Sequence, residues 1–157
     1  MKPILSAQTP STQEPSKPSL GWLLAAVRTE LVHAIEAEFA EKNIDLSFTQ
    51  YLILRKSQEL GAVSATELAR AVELDGGAMT RQLDHLERKG YLRRMPHAQD
   101  RRALRIELTE AHTAWRDIAY SCSDRVMAAA QRSLSVNERT QLHNYLERVL
   151  NTLRDKH

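Results

Sequence analysis

Apolar residues recur every three or four positions through most of this chain, a spacing that predicts amphipathic helices. The first spans about Leu20 to Glu41, with Leu24, Val27, Leu31, Ile35 and Phe39 in one stripe. A second opens at Ser47, where Gln50 completes a capping box. It carries Phe48, Tyr51, Leu52, Leu54 and Leu60 and stops at Gly61. A third opens at Ser64 with Glu67 as box partner and buries Leu68, Ala69 and Val72. The short turn Glu73-Leu-Asp-Gly-Gly77 leads into a fourth helix, N-capped by Asp75 and ending at Gly90. A fifth is capped by Thr109, with a stripe of Trp115, Ile118, Cys122, Val126 and Ala129. A sixth follows a box at Ser135 and Glu138, with Leu142, Leu146, Val149 and Leu153 as its apolar positions.

The period changes to two after Gly90. Leu104, Ile106 and Leu108 alternate with Arg105 and Glu107, which predicts a strand, and Pro96-His-Ala-Gln-Asp100 supplies a turn before it. The expected fold class is mainly α with a small β-hairpin of two strands, over residues 91–108. A hairpin placed after two helices joined by a tight turn is the wing of a winged helix-turn-helix. The first, fifth and sixth helices lie outside that compact unit. They can pack on one another or on a second copy.

Composition adds the tail. Four of the five prolines fall in the first eighteen residues, so 1–19 read as a flexible tail preceding one domain over 20–157. The single cysteine, Cys122, excludes an intrachain disulfide. No secretory signal or membrane-length apolar run is visible, and a soluble protein in a reducing cytosol is expected. The net charge of +2 hides an asymmetry. Between 88 and 105, seven basic side chains (Arg88, Lys89, Arg93, Arg94, Arg101, Arg102, Arg105) face Asp100 alone, whereas the rest of the chain is mildly acidic. A basic stripe on an acidic body is the footprint of a nucleic-acid reader, its alternative being a solvated surface.

Met79, Leu83 and Leu86 must meet the core, so the fourth helix turns Gly77, Ala78, Arg81, Asp84, His85 and Arg88 outward, with Thr80 on the flank. Arg81 can grip the O6 and N7 of guanine. Thr80 and Ser64 can bond phosphate or a base edge, and Thr66 and Arg94 join the candidate DNA contacts. Gly77 and Ala78 leave room for the helix N-terminus to approach the DNA backbone. Asp84 can accept from cytosine or orient an arginine. Arg101 and Arg102, at the tip of the wing, are placed to enter a minor groove, with Asp100 as their brace.

These residues resemble the MarR family of bacterial winged-helix regulators. The family signature, Asp-x-Arg, five variable residues, then Leu-Thr, is present as Asp100-Arg101-Arg102 through Leu108-Thr109. Thr80 to Gly90 looks like the family's recognition helix and its exit, and Phe48 to Leu54 like part of its second helix. The resemblance implies a homodimer held by the first and last two helices, over 20–45 and 110–157, with a DNA-binding lobe at 46–109. It implies a repressor on a pseudo-palindromic operator of double-stranded DNA. Half-sites would lie about 10 bp apart, recognition helices in major grooves and wings in flanking minor grooves. It also implies release by a small anionic aromatic effector bound between the dimer helices and the lobe. Trp22, Phe48, Tyr51 and Trp115 are candidate pocket linings or plain core, and Arg28 can pair an anionic ligand or an acidic neighbour. Two departures stand out: His112 occupies a place where the family often has glycine, and no cysteine lies near the N-terminus. No metal is expected, since His33, His112 and Cys122 lack ligand spacing. No cofactor and no catalytic constellation emerge. The rival reading is a winged-helix protein-interaction module without direct DNA binding.

Overall fold

The computed structural model describes residues 17–96 and 104–155. Of the tail read over 1–19, residues 1–16 lie outside the described residues. Ser19 belongs to the domain: its side chain accepts from the Trp22 N–H at 3.2 Å and caps the first helix. The elements are α1 (Leu20–Glu41), α2 (Phe48–Leu60), β1 (Val63–Ser64), α3 (Ala65–Ala71), α4 (Gly76–Arg88), β2 (Leu92–Pro96), β3 (Leu104–Leu108), α5 (Glu110–Ala130) and α6 (Val136–Arg154). The capping boxes at Ser47, Ser64 and Ser135 are all formed, and each satisfies two amides that the helix itself cannot.

The sheet has three strands rather than the two expected, in the order β1-β3-β2, all antiparallel. Val63 pairs with Ile106 and Ser64 with Arg105, while Leu92 pairs with Leu108 and Pro96 with Leu104. Two residues are too few to show an alternation, so β1 leaves no local signal. Its partner lies more than forty residues on. Ile106 is buried, but Leu104 at the far end of β3 is exposed.

The core gathers Ile35 and Phe39 of α1, Tyr51, Ile53 and Leu54 of α2, Leu68, the α4 face Met79, Leu83 and Leu86, then Leu92, Ile106 and Ala119. Two expectations for α5 are corrected. Its buried stripe is His112, Trp115, Ala119, Cys122 and Ser123, and Ile118 faces out. Ala119 is fully buried on this stripe, on a helix that packs against α1. Thr109 sits at the N-cap position but makes no side-chain cap. Its hydroxyl donates to the Gly90 carbonyl and its N–H to the Tyr91 carbonyl, which closes the base of the wing.

His112, where the family often has glycine, is buried edge-on against Trp115, with ring centroids 5.0 Å apart. Burial, helped by the Arg116 charge, holds its pKa below the ordinary 6.5. The neutral ring is therefore favoured in the fold, while the unfolded chain takes up a proton more readily. This stabilisation is fully present above pH 6.5 and is lost as pH falls below it. Thermal melting should show a drop in Tm between pH 7.5 and 5.5 that is smaller in His112→Phe. An equal drop in both would remove His112 from the acid response.

The apolar faces of the long helices are only partly used. α1 buries its C-terminal half, yet Leu20, Leu23, Leu24 and Val27 are exposed. α6 buries no residue at all. No helix among the described residues is long and apolar enough to cross a membrane.

Candidate nucleic-acid interface

The N-terminus of α4 is built by Asp75, whose side chain accepts from the Ala78 N–H at 2.8 Å. That bond, with the Gly77 amide and the Arg81 charge behind it, holds the Asp75 carboxyl below the usual carboxylate range. Gly77 keeps this corner open, for a Cβ there would meet Asp75 Oδ1 at 3.3 Å and Arg81 Nη1 at 3.7 Å. With Met79, Leu83 and Leu86 turned inward, Arg81, Asp84, His85 and Arg88 are exposed. The Arg81 guanidinium makes no hydrogen bond to a described residue, so its planar fork is available. Thr80 is exposed and its hydroxyl donates to the Gly76 carbonyl at 2.9 Å, which leaves the oxygen free to accept. Thr66 is exposed on the first turn of α3 and lines the cleft toward Thr80.

Other expected contacts are already engaged. The Ser64 hydroxyl accepts from the Glu67 N–H at 3.2 Å and donates to its carboxylate at 2.8 Å, so it is not a free donor. Arg94 is not an open cation either. Its Nη1 donates to Glu87 at 2.5 Å and its Nη2 to Asp84 at 2.7 Å. Asp84 thereby holds an arginine, one of the two arrangements the sequence offered for it. Across the hairpin, Arg93 pairs with Glu107 at 3.2 Å and Arg105 joins the same carboxylate. Lys89 pairs with Asp45 at 2.9 Å. Asp100, Arg101 and Arg102 lie outside the described residues.

The effector candidates separate into three places. Trp22 and Arg28 are exposed on the N-terminal half of α1. Trp115 packs between Tyr91 and His112. Phe48 and Tyr51 come together, 6.1 Å between centroids, beside a groove of about 370 Å³ between α2 and α5. Arg55 lines this groove and was not singled out by the sequence. Its Nη1 donates to the Tyr51 hydroxyl at 2.8 Å, and its guanidinium lies 5.1 Å from the Tyr120 ring centre. The Tyr120 hydroxyl is buried with no partner, and burial pushes its pKa up, so it remains a donor. The i, i+4 spacing of Tyr51 and Arg55 was the available signal. Among the described residues no cluster of three or more metal-ligating side chains occurs.

A profile of the MarR family matches residues 46–104, from just before α2 to the start of β3. The HTH-type transcriptional regulator SarZ of Staphylococcus haemolyticus is 32% identical over 109 residues, covering 69% of this chain and 73% of that protein. The chain belongs to the MarR family. Members of the family are transcription regulators, not enzymes. The multiple antibiotic resistance protein MarR of Salmonella typhimurium is 29% identical over 111 residues, 68% of this chain and 75% of that protein. Among solved structures, a mutant MarR of E. coli complexed with operator DNA superposes with a TM-score of 0.78 at 24% identity, covering 83% of this chain and 93% of that one. Bordetella bronchiseptica BpsR, solved for the regulation of its DNA binding by 6-hydroxynicotinic acid, gives 0.76 at 18% identity, covering 83% of this chain and 92% of that one. These likenesses establish the MarR winged-helix fold with six helices and a three-stranded sheet.

Proposed function

We propose that this MarR-family regulator is a homodimeric repressor that reads a pseudo-palindromic operator and is released by a small anionic aromatic molecule. The observation that carries the reading is Arg81. It is exposed and free of hydrogen bonds to described residues, and its charge lies near the Asp75 carboxylate that caps the start of the helix. Thr66, Thr80, Gly77 and Ala78 border it. Arg101 and Arg102 are assigned to the flanking minor grooves.

The dimer is supported by α6. A helix of 19 residues that buries nothing is at best marginal by itself, and its row of Leu142, Leu146, Val149, Leu150 and Leu153 is exposed. The exposed apolar residues of α1 supply a second strip. A second copy covers both, as the family resemblance implies.

The groove between α2 and α5 is the proposed effector site. Arg55, paired with Glu59 at 3.4 Å, offers a cation, and Phe48 and Tyr51 an aromatic wall. A hydroxybenzoate added to the protein–DNA complex should lower affinity for DNA. In Arg55→Ala the half-maximal concentration should rise about tenfold, as expected for loss of one charge-assisted contact. An unchanged concentration would move the effector elsewhere. The overall reading is tested by selection from a random duplex library followed by gel shift of the full chain. Enrichment of an inverted repeat supports it. Absence of salt-dependent binding together with capture of a protein partner would support the interaction-module alternative.

A further inference from the structure

We infer that Arg94 and Glu87 form a strut that sets the angle between the recognition helix and the wing, and that Arg94 is not itself a DNA contact. The inference rests on the DNA-binding reading above. Arg94 and Arg93 are neighbours on β2, so the pleat sends them to opposite faces. Arg93 goes to Glu107, whereas Arg94 goes to α4. There it meets Thr80, Asp84 and Glu87, which occupy i, i+4 and i+7 on one row of the helix. Nη2 reaches the Thr80 carbonyl at 3.4 Å and the Asp84 carboxylate at 2.7 Å, and Nη1 reaches Glu87 at 2.5 Å. One guanidinium thus spans two turns of the recognition helix.

Glu87 is engaged from both sides. One oxygen accepts from the Arg94 guanidinium and the other from the Arg94 backbone N–H, at 3.0 Å. The strand and its side chain are therefore both fixed to the helix. The Arg94 side chain is only 20% exposed, which shields the contact from solvent more than an open surface pair. The strut bridges a corner that would otherwise be soft: Gly90, at φ +76°, links α4 to β2. Major-groove and minor-groove contacts can be made together only if that corner holds one angle. Moving Arg94 to a phosphate would leave the Glu87 and Asp84 charges exposed toward DNA without their partner.

The sign of one substitution separates the roles. Glu87→Gln removes a negative charge from the DNA-facing side, and simple electrostatics then predicts equal or tighter binding. The strut predicts about tenfold weaker binding, the order expected for one lost charge-assisted contact. It also predicts loss of hydroxyl-radical protection in the flanking minor grooves, with guanine N7 protection by α4 retained. Swapping the pair, Glu87→Arg with Arg94→Glu, should recover much of the affinity, which a phosphate-contacting Arg94 would not allow. Arg94→Lys supplies an arm for the case that Glu87→Gln fails to fold. Lysine keeps the charge but cannot fork to two carboxylates, so the strut predicts weaker binding and a phosphate contact predicts nearly unchanged binding. The probe is the duplex selected by the unmodified chain. Failure of that chain to select any duplex would count against the DNA-binding reading itself. Wild-type selection with tight binding by Glu87→Gln, or by a folded Arg94→Lys, would overturn the strut alone.

Discussion

Arg81→Ala should lower affinity for the selected operator by about 10- to 100-fold and flatten the preference at one base pair in each half-site. The side chain touches none of the buried face of α4, so the melting temperature should not move. Its loss removes a bidentate grip that only guanine can offer in the major groove. Arg88→Ala makes a useful contrast. Arg88 is exposed in the last turn of α4, with Nε donating to the Asp84 carbonyl at 3.3 Å. Its removal should weaken binding evenly across sequences and reduce the salt slope by about one. Quantitative gel shifts on the operator and on single-base variants, at fixed salt, distinguish the two. Equal losses on all sequences for Arg81→Ala would make it a phosphate contact and return base reading to another residue.

The second large effect concerns α6. Leu146→Glu with Val149→Glu places two charges on a face that no described residue of its own chain buries. Sedimentation should then show a monomer, and part of the helical circular dichroism should disappear, since a helix without tertiary burial is marginal. Operator affinity should fall on the order of 1,000-fold, because each lobe then binds its half-site without the effective concentration that dimerisation supplies. Asn151→Glu, on the polar face of the same helix, should leave mass and affinity unchanged. A double-charge variant that stays dimeric would place the interface on other helices.

Much of the fold was legible in the sequence because its signals are local. Ser47 with Gln50, Ser64 with Glu67, and Ser135 with Glu138 each fix a helix start within four residues. The bounds of α1 and the turn into α4 follow from similar cues. What was not legible depends on contacts distant in sequence. β1 exists only because Val63 and Ser64 find β3. The α5 stripe buries the small Ala119 and leaves Ile118 exposed, whereas a periodicity count favours large side chains such as Ile118. Thr109 looks like a cap but bonds the Gly90 carbonyl across the wing.

The candidate interface shows the same division. Arg81 could be placed from the α4 periodicity alone. The basic stripe could not be taken at face value, because its neutralising carboxylates lie outside it. Asp84 and Glu87 precede the run, Glu107 follows it, and Asp45 is far away in sequence. The structure returns Arg93, Arg94, Arg105 and Lys89 to these partners, which leaves Arg81 and Arg88 on α4 as exposed cations with no salt bridge to a described residue. The proposed effector groove was half legible: Phe48 and Tyr51 were singled out in the sequence, whereas Arg55 was passed over although it follows Tyr51 by one helical turn.

The most direct test of the central claim is a fluorescence-anisotropy titration of the full chain against its selected duplex over a range of salt concentrations. A dimeric reader with about six phosphate contacts gives two chains per duplex and a log–log slope near −5. One chain per duplex, or an affinity that does not change with salt, would contradict it.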